Sequence, residues 1–129
     1  MSKNIGNTIY DRSINYYETD QMGIVHHSNY IRYFEEARLD MMEQVGLSYA
    51  AMEEHGLIIP VLSVACEYIK PVLFGEKVQI HTRLVKFDGI KMQFVYEIYC
   101  EGELRTKGES RHCFLDKDCL LYTSDAADE

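Results

Sequence analysis

The sequence predicts an α+β domain in which a curved antiparallel sheet wraps around one long central helix. Apolar residues recur at helical spacing from Tyr30 onward, with charged residues on the other faces. Four strand-like stretches with alternating residue types follow, joined by tight turns. One strand, one long helix and four more strands in this order favour a single antiparallel layer packed on the helix.

The first half of the chain contains the helices. Tyrosine and isoleucine enrichment predicts a first strand over residues 9–17, and a loop over residues 18–28 follows. Gly46 is a suitable C′ residue to end the long helix. A second, short helix is expected over residues 48–54. The helices therefore interrupt the sheet after its first strand.

The second half of the chain is expected to form the rest of the sheet. Strands are predicted over residues 61–70, 77–86 and 104–116, with another strand just after the hairpin signal Asp88-Gly89. The last strand in the chain, over residues 104–116, places small or polar side chains on one face, where a helix could approach closely. They are Thr106, Gly108, Ser110 and His112.

Length and composition limit the possible functions. At 129 residues the chain is long enough for one domain. Its net charge of −8 argues against nucleic acid or an anionic membrane as the main partner. No apolar stretch is long enough to span a bilayer and no secretory signal is visible, so a cytoplasmic location is expected. The four cysteines lack metal-ligand spacing, which predicts reduced thiols and no metal site; they are Cys66, Cys100, Cys113 and Cys119.

The C-terminus differs from the rest. Residues 119–129, CLLYTSDAADE, resemble the translation of a common sequencing adapter. We therefore expect one domain over residues 1–118 and a non-native tail over 119–129, to which no function is assigned.

Chemistry-bearing residues concentrate between the first strand and the long helix. Asp20 is a candidate nucleophile or general base, and Gly23 lets the loop fold back. Ser28 or Asn29 is suited to cap a helix that begins near Tyr30. The unpaired N–H groups of the first helical turn could hold a developing oxyanion. This is the anatomy of a site that cleaves an activated acyl group.

This segment resembles the signature of the 4-hydroxybenzoyl-CoA thioesterase family of hot-dog-fold enzymes, most closely its bacterial branch associated with the Tol-Pal envelope system. The resemblance covers the chain from about residue 9 to 116. It rests on a spaced set of residues followed by FEEAR in the helix: Asp20, Gly23, Val25, His27, Asn29 and Tyr30.

The resemblance implies a hot-dog fold and an acyl-CoA thioesterase that releases a carboxylic acid and free coenzyme A without a cofactor. It also implies a homodimer or homotetramer with sites between subunits. It assigns the His27 backbone N–H to the thioester carbonyl. The Tyr16 hydroxyl would orient Asp20 or water, or simply pack. The implied substrate-binding residues are Gly23, Val25, Asn29 and Tyr30, of which Asn29 and Tyr30 would set the entrance of the helix.

Two further sets of residues are candidates for substrate binding and for catalysis. Lys86 and Lys91 flank the hairpin, and with Lys70 they are candidates for the phosphates of coenzyme A. Another hot-dog thioesterase class carries its carboxylate on the central helix. Glu35 and Glu36 are therefore the rivals of Asp20, although glutamates near a helix start are also explained by the helix dipole.

Two alternative functions stay open at the level of sequence. One is a hot-dog dehydratase or hydratase, whose usual histidine- and proline-rich segment is not visible here. The other is a non-catalytic protein that binds acyl-CoA or an acyl carrier. Retention of Asp20 favours the hydrolase.

Overall fold

The structure, a computed structural model, describes residues 7–116. The elements are β1 (Asn7–Ser13), α1 (Ser28–Gln44), α2 (Tyr49–Glu54), β2 (Leu57–Ile58), β3 (Val61–Tyr68), β4 (Lys77–Phe87), β5 (Lys91–Cys100), β6 (Glu103–Cys113) and β7 (Leu115–Asp116). Five antiparallel strands form the main sheet in the order β1-β4-β5-β6-β3, and β2 and β7 form a separate two-stranded sheet. The predicted α+β class, with an antiparallel sheet around a helix, is confirmed.

Helix α1 supplies one wall of the core. Its buried residues recur at three- and four-residue intervals and face the sheet; they are Tyr30, Tyr33, Phe34, Ala37, Arg38, Met41 and Met42. The helix ends as expected at Gly46, whose positive φ of 85° lets Leu47 N–H reach back to the Met42 carbonyl at 2.7 Å. Ser48 caps α2 by accepting the Ala51 N–H at 3.1 Å.

The sheet supplies the other wall, and the alternation read from the sequence is confirmed. In β4 the core side chains Val78, Ile80 and Thr82 are fully buried. The buried core side chains of β5 are Met92, Phe94, Tyr96, Ile98 and Cys100. The predicted hairpin forms at Asp88, whose Oδ1 accepts the N–H groups of Ile90 and Lys91 at 2.9 and 2.7 Å.

Three strand predictions were wrong at their ends. The first strand stops at Ser13, and Tyr16–Glu18 form a short 3-10 helix in place of its continuation. The strand predicted to reach residue 116 breaks at Phe114, and its last two residues pair with β2 instead. The strand predicted to reach residue 70 ends at Tyr68, because the Ile69 and Lys70 N–H groups both turn to the Arg105 carbonyl.

Three further expectations concern the C-terminal tail, the cysteines and membrane-spanning helices. The tail predicted over residues 119–129, including Cys119, lies outside the described residues. Within residues 7–116, Cys66, Cys100 and Cys113 are free thiols. In the same stretch neither helix is long and apolar enough to cross a membrane.

A buried polar network joins α1 to the sheet. The Tyr96 hydroxyl lies 2.6 Å from Ser110 Oγ, and Ser110 Oγ lies 2.7 Å from His112 Nε2. The Arg38 guanidinium, whose nitrogens are all donors, lies 3.5 Å from the same Nε2. Burial first, and then the positive charge of Arg38, lower the pKa of His112 to about 4, with the Pro60 carbonyl opposing the shift. His112 is therefore neutral in the folded protein at neutral pH.

This network makes stability depend on pH. Below pH 6.5 His112 binds a proton in the unfolded chain, whereas in the folded chain it does so only near pH 4. Stability from this residue is therefore complete above pH 6.5 and is lost as the pH falls toward 4, by about 2–3 kcal/mol. We expect His112→Gln to flatten the dependence of the urea-unfolding free energy on pH over this range. The same change at the exposed His55 should leave the slope as it is, and an unaltered slope in His112→Gln would contradict the prediction.

Candidate active site

The loop that carries Asp20 is fixed by its own backbone. Asp20 Oδ1 accepts the N–H groups of Met22 and Ile24 at 2.8 and 3.2 Å. The Asp20 N–H donates to the Ile24 carbonyl at 2.8 Å, and Gly23 turns the chain with a φ of 78°. Within residues 7–116, Asp20 Oδ2 makes no hydrogen bond. The aspartate is exposed, and one of its oxygens is held while the other is available to a substrate or a water.

The entrance to α1 differs from the prediction. The helix begins at Ser28, two residues earlier than expected, and neither Ser28 nor Asn29 caps it. The N-cap is His27, whose side chain makes no capping hydrogen bond, and the preceding His26 accepts the Ser28 N–H through Nδ1 at 3.2 Å. Asn29 uses its side-chain amide to donate to the Glu18 carbonyl at 2.9 Å. Among the described residues the His27 backbone N–H has no acceptor, so the helix start offers a free donor beside the positive end of the dipole.

A cavity of about 360 Å³ brings the acid and the helix start together. Tyr30 forms part of its wall, and its hydroxyl accepts the Val72 N–H at 3.3 Å. The Tyr68 ring packs edge-on against Tyr30 with centroids 5.0 Å apart, and its hydroxyl donates to the His27 carbonyl at 3.4 Å. Gly23 and Asn29 shape the loop behind this cavity without lining it. The lining residues are Asp20, Ile24, Val25, His26, His27, Tyr30, Tyr68, Ile69, Lys70 and Pro71.

Tyr16 lies elsewhere than predicted. It sits in the 3-10 turn instead of the first strand, and its ring packs edge-on against Phe74 with centroids 5.5 Å apart. Its side chain is 70% exposed, and in the described part of the chain it makes no hydrogen bond to Asp20. The structure therefore favours the packing role for Tyr16.

The predicted phosphate-binding lysines lie away from this cavity. Lys86 and Lys91 line a second cavity of about 650 Å³, together with Arg111 and Leu62. Leu62 and Tyr68 are near opposite ends of β3, about 20 Å apart at the usual rise per residue. Only the third candidate, Lys70, lines the Asp20 cavity, where it pairs with Glu103 at 2.6 Å.

The two rival glutamates have different surroundings. Glu36 is engaged: its carboxylate accepts Arg12 Nε at 2.8 Å and the Tyr10 hydroxyl at 3.1 Å. Glu35 is exposed and makes no hydrogen bond or ion pair with any described residue. Of the two, Glu35 stays available for chemistry.

Sequence reasoning missed Glu18, which is only 4% exposed. Its Oε1 accepts the Asn15 N–H at 2.9 Å, and Arg12 donates to both of its oxygens at 2.9 and 2.6 Å. The available signal was the spacing Asn15-x-x-Glu18, which resembles a capping box at the start of a short helix.

The family model that describes the thioesterase-like superfamily matches residues 14–119. The chain belongs to the thioesterase-like superfamily. A Bacillus subtilis protein provisionally named acyl-CoA thioesterase YneP is 39% identical over 106 residues, which cover 81% of this chain and 77% of that protein. An Aquifex aeolicus protein with a provisional esterase name is 38% identical over 83% of this chain and 84% of its own length.

Solved structures agree with this family. The crystal structure of a DHNA-CoA thioesterase from Staphylococcus aureus superimposes with a TM-score of 0.84 and 35% identity, covering 95% of this chain and 87% of that one. The predicted hot-dog fold is thereby confirmed. The narrower assignment to the 4-hydroxybenzoyl-CoA family and its Tol-Pal branch stays a prediction.

Proposed function

We propose that this protein hydrolyses an acyl-CoA thioester to a carboxylic acid and free coenzyme A, with Asp20 as the catalytic carboxylate. The observation that carries the proposal is the shared cavity of Asp20 and the free His27 N–H. Family membership and the names of the relatives support thioester hydrolysis as the class of reaction. A cytoplasmic location is part of the same proposal.

The two groups suit the two charges that the reaction develops. The His27 N–H and the dipole of α1 stabilise negative charge on the thioester oxygen as the carbonyl is attacked. Asp20 either takes the proton from an attacking water or attacks the carbonyl carbon itself. In the first case the carbon–sulfur bond breaks and the proton passes to the leaving thiolate. In the second case attack by Asp20 breaks the carbon–sulfur bond, expels the thiolate and leaves an acyl-aspartate; water then hydrolyses this anhydride, which restores Asp20, releases the acid and supplies the proton that the thiolate takes up.

Free-thiol release from short, long and aromatic acyl-CoAs tests this function. We expect turnover of at least one class, and the preferred acyl group defines the substrate. Loss of the double bond from a trans-2-enoyl thioester without thiol release would support a hydratase. Binding of all the thioesters without thiol release would support a non-catalytic acyl-CoA binding protein.

We also propose that the working unit contains two copies paired through β3. This strand is at the edge of the sheet and exposes apolar side chains, which favours pairing with another strand; they are Val61, Leu62, Val64 and Tyr68. Antiparallel pairing across a two-fold axis reverses the strand ends. It brings the Lys86 and Lys91 cavity of one copy beside the Asp20 cavity of the other. The thioester of acyl-CoA would then react at Asp20 of one subunit, while the lysines of the other subunit bind the phosphates of its coenzyme A part.

Subunit complementation tests this composite site. Asp20→Asn and the double variant Lys86→Ala/Lys91→Ala should each be poorly active alone at low substrate concentration. Their mixture should be more active than either, because one of the two sites in each mixed dimer is intact. A mixture that shows only the average of the two activities, or sedimentation at the 15.0 kDa chain mass, would contradict the composite site.

A further inference from the structure

We infer that Glu18 is a positioning residue that fixes the catalytic carboxylate relative to the helix start; this inference rests on the function proposed above. Glu18 lies two residues before Asp20 and is buried. Its backbone carbonyl binds residues at the helix start, and its side-chain carboxylate binds Arg12. Together these contacts connect the Asp20 loop and the helix start to the sheet.

The backbone of Glu18 holds the helix start. Its carbonyl accepts the His26 N–H at 2.9 Å and the side-chain amide of Asn29 at 2.9 Å. These two residues flank His27, whose N–H is the proposed oxyanion donor. The position of that donor therefore depends on where the Glu18 carbonyl lies.

The side chain of Glu18 anchors this carbonyl to the sheet and to α1. Arg12 of β1 binds both carboxylate oxygens, and the same guanidinium binds Glu36 of α1 through Nε and Nη2 at 2.8 and 3.0 Å. Arg12 also lies over the Tyr33 ring, 4.8 Å from its centroid. Bidentate pairing of a planar guanidinium fixes orientation as well as distance.

The charge state of Glu18 is consistent with this role. Burial alone would raise the pKa of its carboxyl, but the hydrogen bonds from Arg12 and from the Asn15 N–H, together with the charge of Arg12, lower that pKa below its usual value. Glu18 is thus ionised, paired and buried, and it is not one of the residues that line the substrate cavity. Its effect on turnover must pass through the groups that it holds.

Glu18→Gln tests the inference, with Glu36→Gln as the matched control. Both variants remove one carboxylate from Arg12, but the hydrogen bonds of Glu36 to described residues go to Arg12 and Tyr10 of β1, and none goes to residues 19–29. We expect kcat to fall about 10- to 100-fold in Glu18→Gln with little change in KM, as for small misplacements of catalytic groups. Glu36→Gln should lose comparable thermal stability with a much smaller fall in kcat, because Arg12 still binds both Glu18 oxygens. In the Asp20→Asn background Glu18→Gln should cost a smaller factor in kcat than in the wild type, because one of the two groups whose relative position it fixes is gone.

Hydrogen–deuterium exchange of residues 19–29 gives a readout that does not depend on turnover. Exchange should accelerate in Glu18→Gln and stay at the wild-type rate in Glu36→Gln. Unchanged exchange in Glu18→Gln, or a kcat loss of equal size with and without Asp20, would overturn the positioning role. Full activity of Asp20→Asn would instead refute the proposed function, and the exchange experiment would still decide whether Glu18 holds the loop.

Discussion

Asp20→Asn is expected to lower kcat for acyl-CoA hydrolysis by about 10²–10⁴-fold, the range for loss of a general acid or base. The asparagine keeps the side-chain oxygen that accepts the Met22 and Ile24 N–H groups, so the loop retains its turn. It loses the basic oxygen that would act on water or on the thioester. Steady-state thiol release measures kcat, and thermal unfolding shows whether the fold is intact.

The exposed Asp11 of β1 provides the matched control, since Asp11→Asn removes the same charge at a residue that does not line the cavity and should keep wild-type turnover. Retention of full activity by folded Asp20→Asn would contradict the assignment. Glu35 would then be the next carboxylate to replace, because Glu36 is already engaged by Arg12.

Gly108→Ala is expected to cost about 2–3 kcal/mol of unfolding free energy, as for overpacked cores. A Cβ at this position would lie well inside contact distance of the Phe34 ring and 3.0 Å from the Ala65 carbonyl oxygen. Phe34 has little room to retreat, because it is buried and stacks on Tyr96 with centroids 4.5 Å apart. Urea unfolding measures the loss, and Lys107→Ala on the exposed face of the same strand should have little effect.

A second substitution checks the cause of that loss. Phe34→Leu removes ring atoms from the space that the new methyl group needs. The double variant Gly108→Ala/Phe34→Leu should therefore be more stable than the sum of the two single losses implies. Strict additivity would show that the cost of Gly108→Ala arises elsewhere.

The regular parts of the fold were predictable because each carries a local signal. Strands β4 and β5 alternate residue by residue, Asp88-Gly89 marks their hairpin, and Gly46 ends α1. The two-residue strands β2 and β7 are too short to have a period, and they exist only because distant parts of the chain meet. Such pairing cannot be read from either segment alone.

The candidate site was predictable only in part, for a similar reason. The family signature indicated Asp20 and His27, and the cavity contains both. It did not indicate that the His26 ring would accept the first N–H of the helix, since histidine is not among the residues preferred at helix starts. The position of Tyr16 was wrong because the first strand ends early. The Arg12–Glu18–Glu36 ion pairs join three separate elements, and no sequence spacing specifies them.

The most direct test of the central claim is the carbonyl stretching frequency of a ¹³C-labelled thioester bound to Asp20→Asn, measured by infrared difference spectroscopy. The claim is that Asp20 and the start of α1 act on the same thioester carbonyl. We predict a frequency below that of the same acyl-CoA in buffer, because the His27 N–H and the helix dipole polarise the bond. His27→Ala in the same background should keep this shift, since the backbone donor remains. A bound carbonyl with the frequency of the free thioester would contradict the account.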